Sequence, residues 1–104
     1  MSLTKDTEKA FKIIYCEYKS LRKKGFTKED SRVFKNINDI SAFSSWLNPD
    51  IDSAIKELLS CKYISKNIIG VIKITDDGLK YMENKPKEFF NDISKFFDLI
   101  SILG

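Results

Sequence analysis

Apolar residues recur along this chain with two different periods, and the changes of period mark its elements. Over residues 4–24, Ala10, Phe11, Ile14, Tyr18 and Leu21 fall at helical spacing, with Lys12, Lys19, Arg22 and Lys23 mostly on other faces. Thr4 and Asp6 suit the free amides at the start of this first helix, and Glu8 suits its positive end. Gly25 can take the left-handed conformation that closes it after Lys24. Ser2 and Leu3 precede the pattern and receive no structural weight. Residues 26–37 fit two elements equally: Thr27-Lys28-Glu29-Asp30 resembles a helix start, yet Val33, Phe34 and Ile37 suit a turn of helix or a short strand. Over residues 38–44, Ile40 and Phe43 stand three apart behind Asn38-Asp39, which predicts a short second helix, with Trp46 and Leu47 adding apolar weight to the following turn.

The densest run of signals lies between Asn48 and Met82. Asn48-Pro49 predicts a new helix, with Asn as its N-cap and Pro at the first helical position, where no amide donor is needed. Its buried stripe is Ile51, Ala54, Ile55, Leu58 and Leu59, leaving Asp50, Asp52, Ser53, Lys56, Glu57 and Ser60 outside. Tyr63-Ile64-Ser65 and Val71-Ile72-Lys73-Ile74 are short β-prone runs separated by Lys66, Asn67 and Gly70, which predicts a tight hairpin. Thr75 caps a further helix that turns Leu79 and Met82 inward. Pro86 opens the last helix, where Phe89, Ile93, Phe96, Ile100 and Leu103 follow a 4-3-4-3 spacing and Phe90 and Phe97 widen the stripe. The fold class expected is therefore α+β, mostly α, with residues 1–85 as one domain and residues 86–104 as a C-terminal helix that packs on it or forms a dimer interface.

Composition narrows the chemistry. The 104 residues suffice for one hydrophobic core, and the net charge of +3 places any polyanion site in a local patch. Histidine is absent, which removes the commonest general base and the His-containing nucleophile pairs and zinc sites. With no paired catalytic carboxylates, metal-ligand cluster or phosphate-cradling glycine loop in the pattern, neither an enzyme nor a cofactor is expected. Cys16 and Cys61 sit far apart in apolar helical patterns, where a reduced thiol behaves as a small hydrophobe. No apolar run approaches the roughly 20 residues of a membrane span, and no signal pattern opens the chain, so a cytoplasmic protein is expected.

The order helix, short helix, turn, helix, hairpin, helix resembles the winged helix-turn-helix superfamily of bacterial and phage regulators. Ile74-Thr75-Asp76-Asp77-Gly78-Leu79 is similar to the leucine-threonine-x-x-glycine segment that follows the wing in many of them, with Ile74 in place of leucine. Residues 54–64 resemble the "xxLxxxGLI" ending of the recognition helix, with Lys62 where glycine is usual, so that helix must be capped otherwise. Within the superfamily the chain looks most like the small YjcQ-type proteins, which also add a C-terminal helix.

The resemblance implies a DNA-binding transcriptional regulator. In that reading Ser53, Lys56 and Ser60 face the major groove, while Lys62, Lys66, Asn67 and Lys73 contact phosphates around the hairpin. A second basic cluster, Lys19, Arg22, Lys23, Lys24 and Lys28, surrounds the end of the first helix and is open to a purely solvating role. Against DNA stand Asp50, Asp52 and Glu57 on the helix that would read it. The alternative is a protein-interaction module that keeps the winged fold without binding DNA. The stripe Phe89, Phe90, Ile93, Phe96, Phe97, Ile100 and Leu103 is the expected homodimer surface, and its polar face lacks the basic excess that anionic lipid would attract.

Overall fold

Threonines write most of the helix starts. Thr4, Thr27 and Thr75 each adopt extended backbone and accept, through the side-chain oxygen, a hydrogen bond from the amide three residues on, namely Thr7, Asp30 and Gly78. In the computed structural model, which describes residues 3–90, these caps open α1 (Lys5–Lys23), α2 (Lys28–Ser31) and α4 (Asp76–Glu83). The remaining elements are α3 (Asn48–Ser60), the strands β1 (Val33–Phe34), β2 (Ile64–Lys66) and β3 (Ile72–Ile74), and 3₁₀ turns at Ile37–Asp39, Ser41–Phe43 and Lys87–Phe90. The described chain is thus mostly helical with one small antiparallel sheet, strand order β1-β3-β2. Of the terminal stripe, Ile93, Phe96, Phe97, Ile100 and Leu103 lie outside the described residues.

The ambiguous stretch contains both elements it suggested. One helical turn, α2, is followed by β1, whose Val33 and Phe34 pair with Lys73 and Ile72. The helix expected over 38–44 is instead two 3₁₀ turns separated by Ile40, whose backbone is extended. The spacing explains the change: Ile37, Ile40 and Phe43 recur every three residues, which suits the 3₁₀ period, and Asn36 rather than Asn38-Asp39 supplies the cap, accepting from the Asn38 amide at 3.1 Å. Another correction concerns α3. Leu47 occupies the cap position with no side-chain hydrogen bond, Asn48 is already helical, and the Leu47 carbonyl accepts from Asp50 and Ile51.

Both α1 and α3 end in the same hydrogen-bonded motif. After α1, the amides of Gly25 and Phe26 donate back to Arg22 and Leu21 with Gly25 at φ +99°. After α3, Lys62 and Tyr63 donate to Leu59 and Leu58, and Lys62 itself takes φ +62°. The chain then enters β2, which pairs with β3 in the register Ile64–Ile74, Ser65–Lys73, Lys66–Ile72. Ile64, Ile72 and Ile74 point into a core that also holds Phe11, Ile14, Leu58, Leu79 and Met82. Leu3 belongs to that core as well, contrary to the weight assigned from sequence.

The aromatic residues serve packing. Phe11, Tyr63 and Tyr81 stack on one another at centroid distances of 4.6–6.0 Å, and Phe43 meets Trp46 edge-on at 5.3 Å. Cys16 and Cys61 are half-buried thiols, and burial pushes the Cys16 pKa up to about 11 against the opposing pull of Lys12 and Lys19. Such a thiol is a poor nucleophile at neutral pH.

Candidate nucleic-acid interface

The junction between α3, the hairpin and α4 is built around backbone atoms near Tyr63. Thr75 donates from its amide to the Tyr63 carbonyl (3.0 Å) and from its hydroxyl to the Lys62 carbonyl (2.7 Å). Gly78 packs so closely that an added Cβ would lie 2.1 Å from the Tyr63 oxygen. The Thr75-x-x-Gly78 spacing therefore has a local cause: the threonine caps α4 and ties it to the end of α3, and the glycine lets the two approach. This joint sets the direction in which the hairpin leaves α3.

Along α3, Ser53, Lys56 and Ser60 are all exposed, at positions that share one helical face, and the Ser60 hydroxyl donates to the Lys56 carbonyl at 3.1 Å. Lys62 and Lys66 continue the exposed polar row into β2. Asn67 is also exposed, but its Oδ1 accepts from the amides of Ile69 (3.1 Å) and Val71 (2.9 Å), so its first duty is to shape the turn. Lys73 points away from the core on the middle strand and pairs with Glu29 at 3.2 Å, which commits it toward α2. The structure thus aligns Ser53, Lys56, Ser60, Lys62 and Lys66 along consecutive elements, whereas Asn67 and Lys73 already have partners.

The acids divide. Asp50 and Asp52 are exposed near the start of α3, as expected. Glu57 does not stand on the outer face: its carboxylate accepts from the Thr4 amide and from the hydroxyls of Thr4 and Thr7, all at 2.9 Å. Those hydrogen bonds, the Thr4 amide foremost, hold the Glu57 carboxyl below the usual carboxylate range. A carboxylate against the positive end of α1 is favourable and fastens α3 to the first turn of the chain. An open hollow between the two helices is lined by Asp6, Asp50, Ser53 and Glu57. The beginning of α3 therefore sits in acidic surroundings, and the stretch from residue 58 to residue 75 contains three lysines and no acid.

The other basic cluster surrounds a shallow hollow lined by Lys19, Arg22, Lys23, Gly25 and Phe26. Arg22 Nη1 donates to the Phe26 carbonyl at 3.1 Å, and cations here suit the negative end of α1. Arg22 and Lys23 thus have a local role at the helix end.

Arg32 is a residue that sequence reasoning passed over. Only 4% exposed, it donates through Nε to the Ile74 carbonyl (2.8 Å), through Nη2 to Asp76 (2.7 Å) and through Nη1 to Glu29 (3.1 Å). Burial works against its charge, and the two carboxylates more than offset that, leaving its pKa raised. Its only signal was a charged residue directly before the apolar pair Val33-Phe34. At the chain's other described end, Phe89 and Phe90 are half-buried on their own chain: Phe90 meets Tyr15 at 5.7 Å and Lys12 sits 4.0 Å over the Phe89 ring.

Among the described residues, no group of three or more His, Cys, Asp or Glu side chains could hold a metal ion, and no helix is long and apolar enough to cross a membrane. No family model, curated protein or solved structure matches the chain.

Proposed function

We propose that this chain is a winged-helix protein that binds duplex DNA as a transcriptional regulator, with α3 as the groove-facing helix and the β2–β3 hairpin as the wing. The order of elements supports the fold: paired 3₁₀ turns precede α3, the hairpin follows it directly, β1 closes an antiparallel β1-β3-β2 sheet, and α4 begins at the Thr75 cap. The observation that carries the binding reading is the exposed row Ser53, Lys56, Ser60, Lys62 and Lys66, which runs from α3 into β2. Such a row offers hydroxyl donors to base edges and ammonium groups to phosphates. The lysines of the row begin at Lys56, so the interface is centred on the C-terminal half of α3, with Asp52 one turn before Lys56 on the same face.

Fluorescence anisotropy with mixed-sequence duplexes tests this. Affinity should fall linearly with salt on logarithmic axes, and the Lys56→Ala/Lys66→Ala variant should bind more weakly with a slope reduced by roughly 2, about one for each ammonium group taken off a phosphate. Unchanged binding in the variant would place the interface elsewhere.

A second reading, a protein-interaction module, draws on Leu47, which is 70% exposed beside half-buried Trp46. These residues line a hollow with Asp6, Lys9 and Asp50, a mixed apolar and acidic surface. This reading expects no salt-sensitive duplex binding and retention of a partner protein.

We further propose that the protein works as a homodimer. Phe89 and Phe90 are engaged by their own chain, and the proposal rests on the apolar sequence stripe Ile93, Phe96, Phe97, Ile100 and Leu103, which lies outside the described residues. Light scattering should give a dimeric mass for wild type and a monomeric one for Phe96→Asp. A monomeric wild type refutes the dimer.

A further inference from the structure

The turn joining β2 to β3 carries two large apolar residues that its own chemistry does not require. Asn67 Oδ1 gathers the amides of Ile69 and Val71, and Gly70 takes the left-handed conformation at φ +89°, so Asn67 and Gly70 make the turn. Ile68 and Ile69 stand between them at 104% and 82% exposure. The charge beside this tip is cationic. Lys66 is exposed, and the register that pairs Phe34 with Ile72 carries exposed Lys35 toward the same end. Neither lysine has an ion pair among the described residues. Lys73 is committed to Glu29, and Asp76 and Asp77 follow Ile74 at the opposite end of the strands.

A surface of matching kind lies at the start of α3. Leu47 is 70% exposed at the cap position and has no side-chain hydrogen bond there, whereas threonine caps α1, α2 and α4. Helix capping does not account for it, since leucine is among the poorest N-caps. Beside it, half-buried Trp46 lines a hollow with Asp6 and Asp50. A second hollow shares those two aspartates and continues the trough to Glu57. Lys9 also lines the trough, against three carboxylates.

We infer that Ile68 and Ile69 of one copy seat beside Trp46 and Leu47 of a second copy, with Lys66 and Lys35 facing Asp6 and Asp50. Both halves of the contact are on this chain, which is what selects a second copy as the occupant: apolar meets apolar and cation meets carboxylate. Within one chain the two surfaces stay apart. Both are exposed, and about 20 Å of α3 separates the trough at its start from the hairpin beyond its end. The contact is therefore heterologous, joining copies head to tail in a ring or an open row. Two isoleucines offer far less than the roughly 800 Å² per partner of a standard interface, so the association is weak, concentration-dependent and screened by salt. It is distinct from the pairing proposed for the C-terminal stripe and does not require the chain to bind DNA.

The test is sedimentation velocity on the full chain over a concentration series, with two surface variants and NMR mapping of their mixture. Wild type should gain mass with concentration beyond the unit set by the C-terminal stripe, and lose that gain as salt is raised. Ile68→Ser/Ile69→Ser and Leu47→Ser should each associate roughly tenfold more weakly. Leu47→Ser gives α3 the polar cap it lacks and should melt no lower than wild type, which separates lost association from lost folding. Mixing the two variants should restore association, because one brings an intact trough and the other an intact tip. In that mixture, isotope-labelled Leu47→Ser should show amide shifts at residues 66–70, and the labelled double variant should show them around Leu47 and Asp50. A wild type that gains no mass, a mixture no more associated than its parts, or shifts that spare these residues overturns the inference. Hairpin amides that move with added duplex but not with the second variant would give the tip to DNA and overturn it likewise.

Discussion

At Lys62 and Gly78, two residues meet opposite backbone demands on either side of one joint. Lys62 adopts φ +62° to end α3, where Gly25 serves the same purpose after α1 at φ +99°. A side chain in that conformation costs about 1–2 kcal/mol, and glycine returns part of the gain through its freer unfolded chain. Lys62→Gly should therefore raise stability by about 0.5–1 kcal/mol in urea unfolding. Under the DNA-binding reading the same variant gives up one ammonium group on a phosphate, so stability and affinity should move in opposite directions. Gly78→Ala should do the reverse to the fold. Its Cβ would stand 2.1 Å from the Tyr63 carbonyl oxygen and 3.0 Å from Ile74 Cγ2, and the backbone carbonyl cannot give way as a side chain can. A loss on the order of 3 kcal/mol is expected. If Gly78→Ala unfolds at the wild-type urea midpoint, the close approach of α4 to Tyr63 is wrong.

Between elements, the strongest polar tie is Arg32, which joins α2, β3 and the start of α4 through Glu29, Ile74 and Asp76. Hydrogen bonding and charge from Arg32 hold Asp76 below the usual carboxylate range, and Lys73, then Arg32, do the same for Glu29. Because both folded values lie below the unfolded ones, their stabilisation is present above the ordinary carboxylate range near pH 4 and is lost as pH falls through the folded values. Arg32→Met should lower stability at pH 7 by about 2–4 kcal/mol, since it strips the buried Ile74 carbonyl of a donor. The acid limb of its stability curve should also be shallower than that of wild type. Parallel acid limbs would mean that the two carboxylates are stabilised by something other than Arg32.

This tie also marks where sequence patterning stops. The caps at Thr4 and Thr75, the stripe of α3 and the hairpin were all legible because each is specified within a few residues. The partner of Arg32 at Ile74 lies 42 residues away, and that of Glu57 at Thr4 lies 53 away. No local period reports such pairings. For the same reason Glu57 read as an outward acid, and β1 could not be told from a helical turn until its pairing with β3 was visible. In the candidate interface, Ser53, Lys56, Ser60, Lys62 and Lys66 were legible by helical phase and adjacency.

At the scale of the whole molecule, the placement of charge along α3 matters more than its total. A net charge of +3 is too small to draw in a polyanion without a patch, and α3 has Asp50 and Asp52 at its start with Lys56, Lys62 and Lys66 beyond. Asp50 has a structural use, since an acid in a first helical turn is worth about 0.3–1 kcal/mol. The two aspartates also repel phosphate across a distance comparable to the Debye length, about 10 Å at 0.1 M salt. Asp50→Asn/Asp52→Asn should therefore lose a little stability. If the C-terminal half of α3 sits on DNA, the variant should bind duplex roughly three- to tenfold more tightly at low salt, with the gain fading as salt is raised. In the protein-interaction reading the same substitutions weaken capture of a basic partner and leave duplex binding negligible. Equal affinities for wild type and variant at every salt concentration, with DNA bound, would place the start of α3 far from the backbone and force a different docking of the helix.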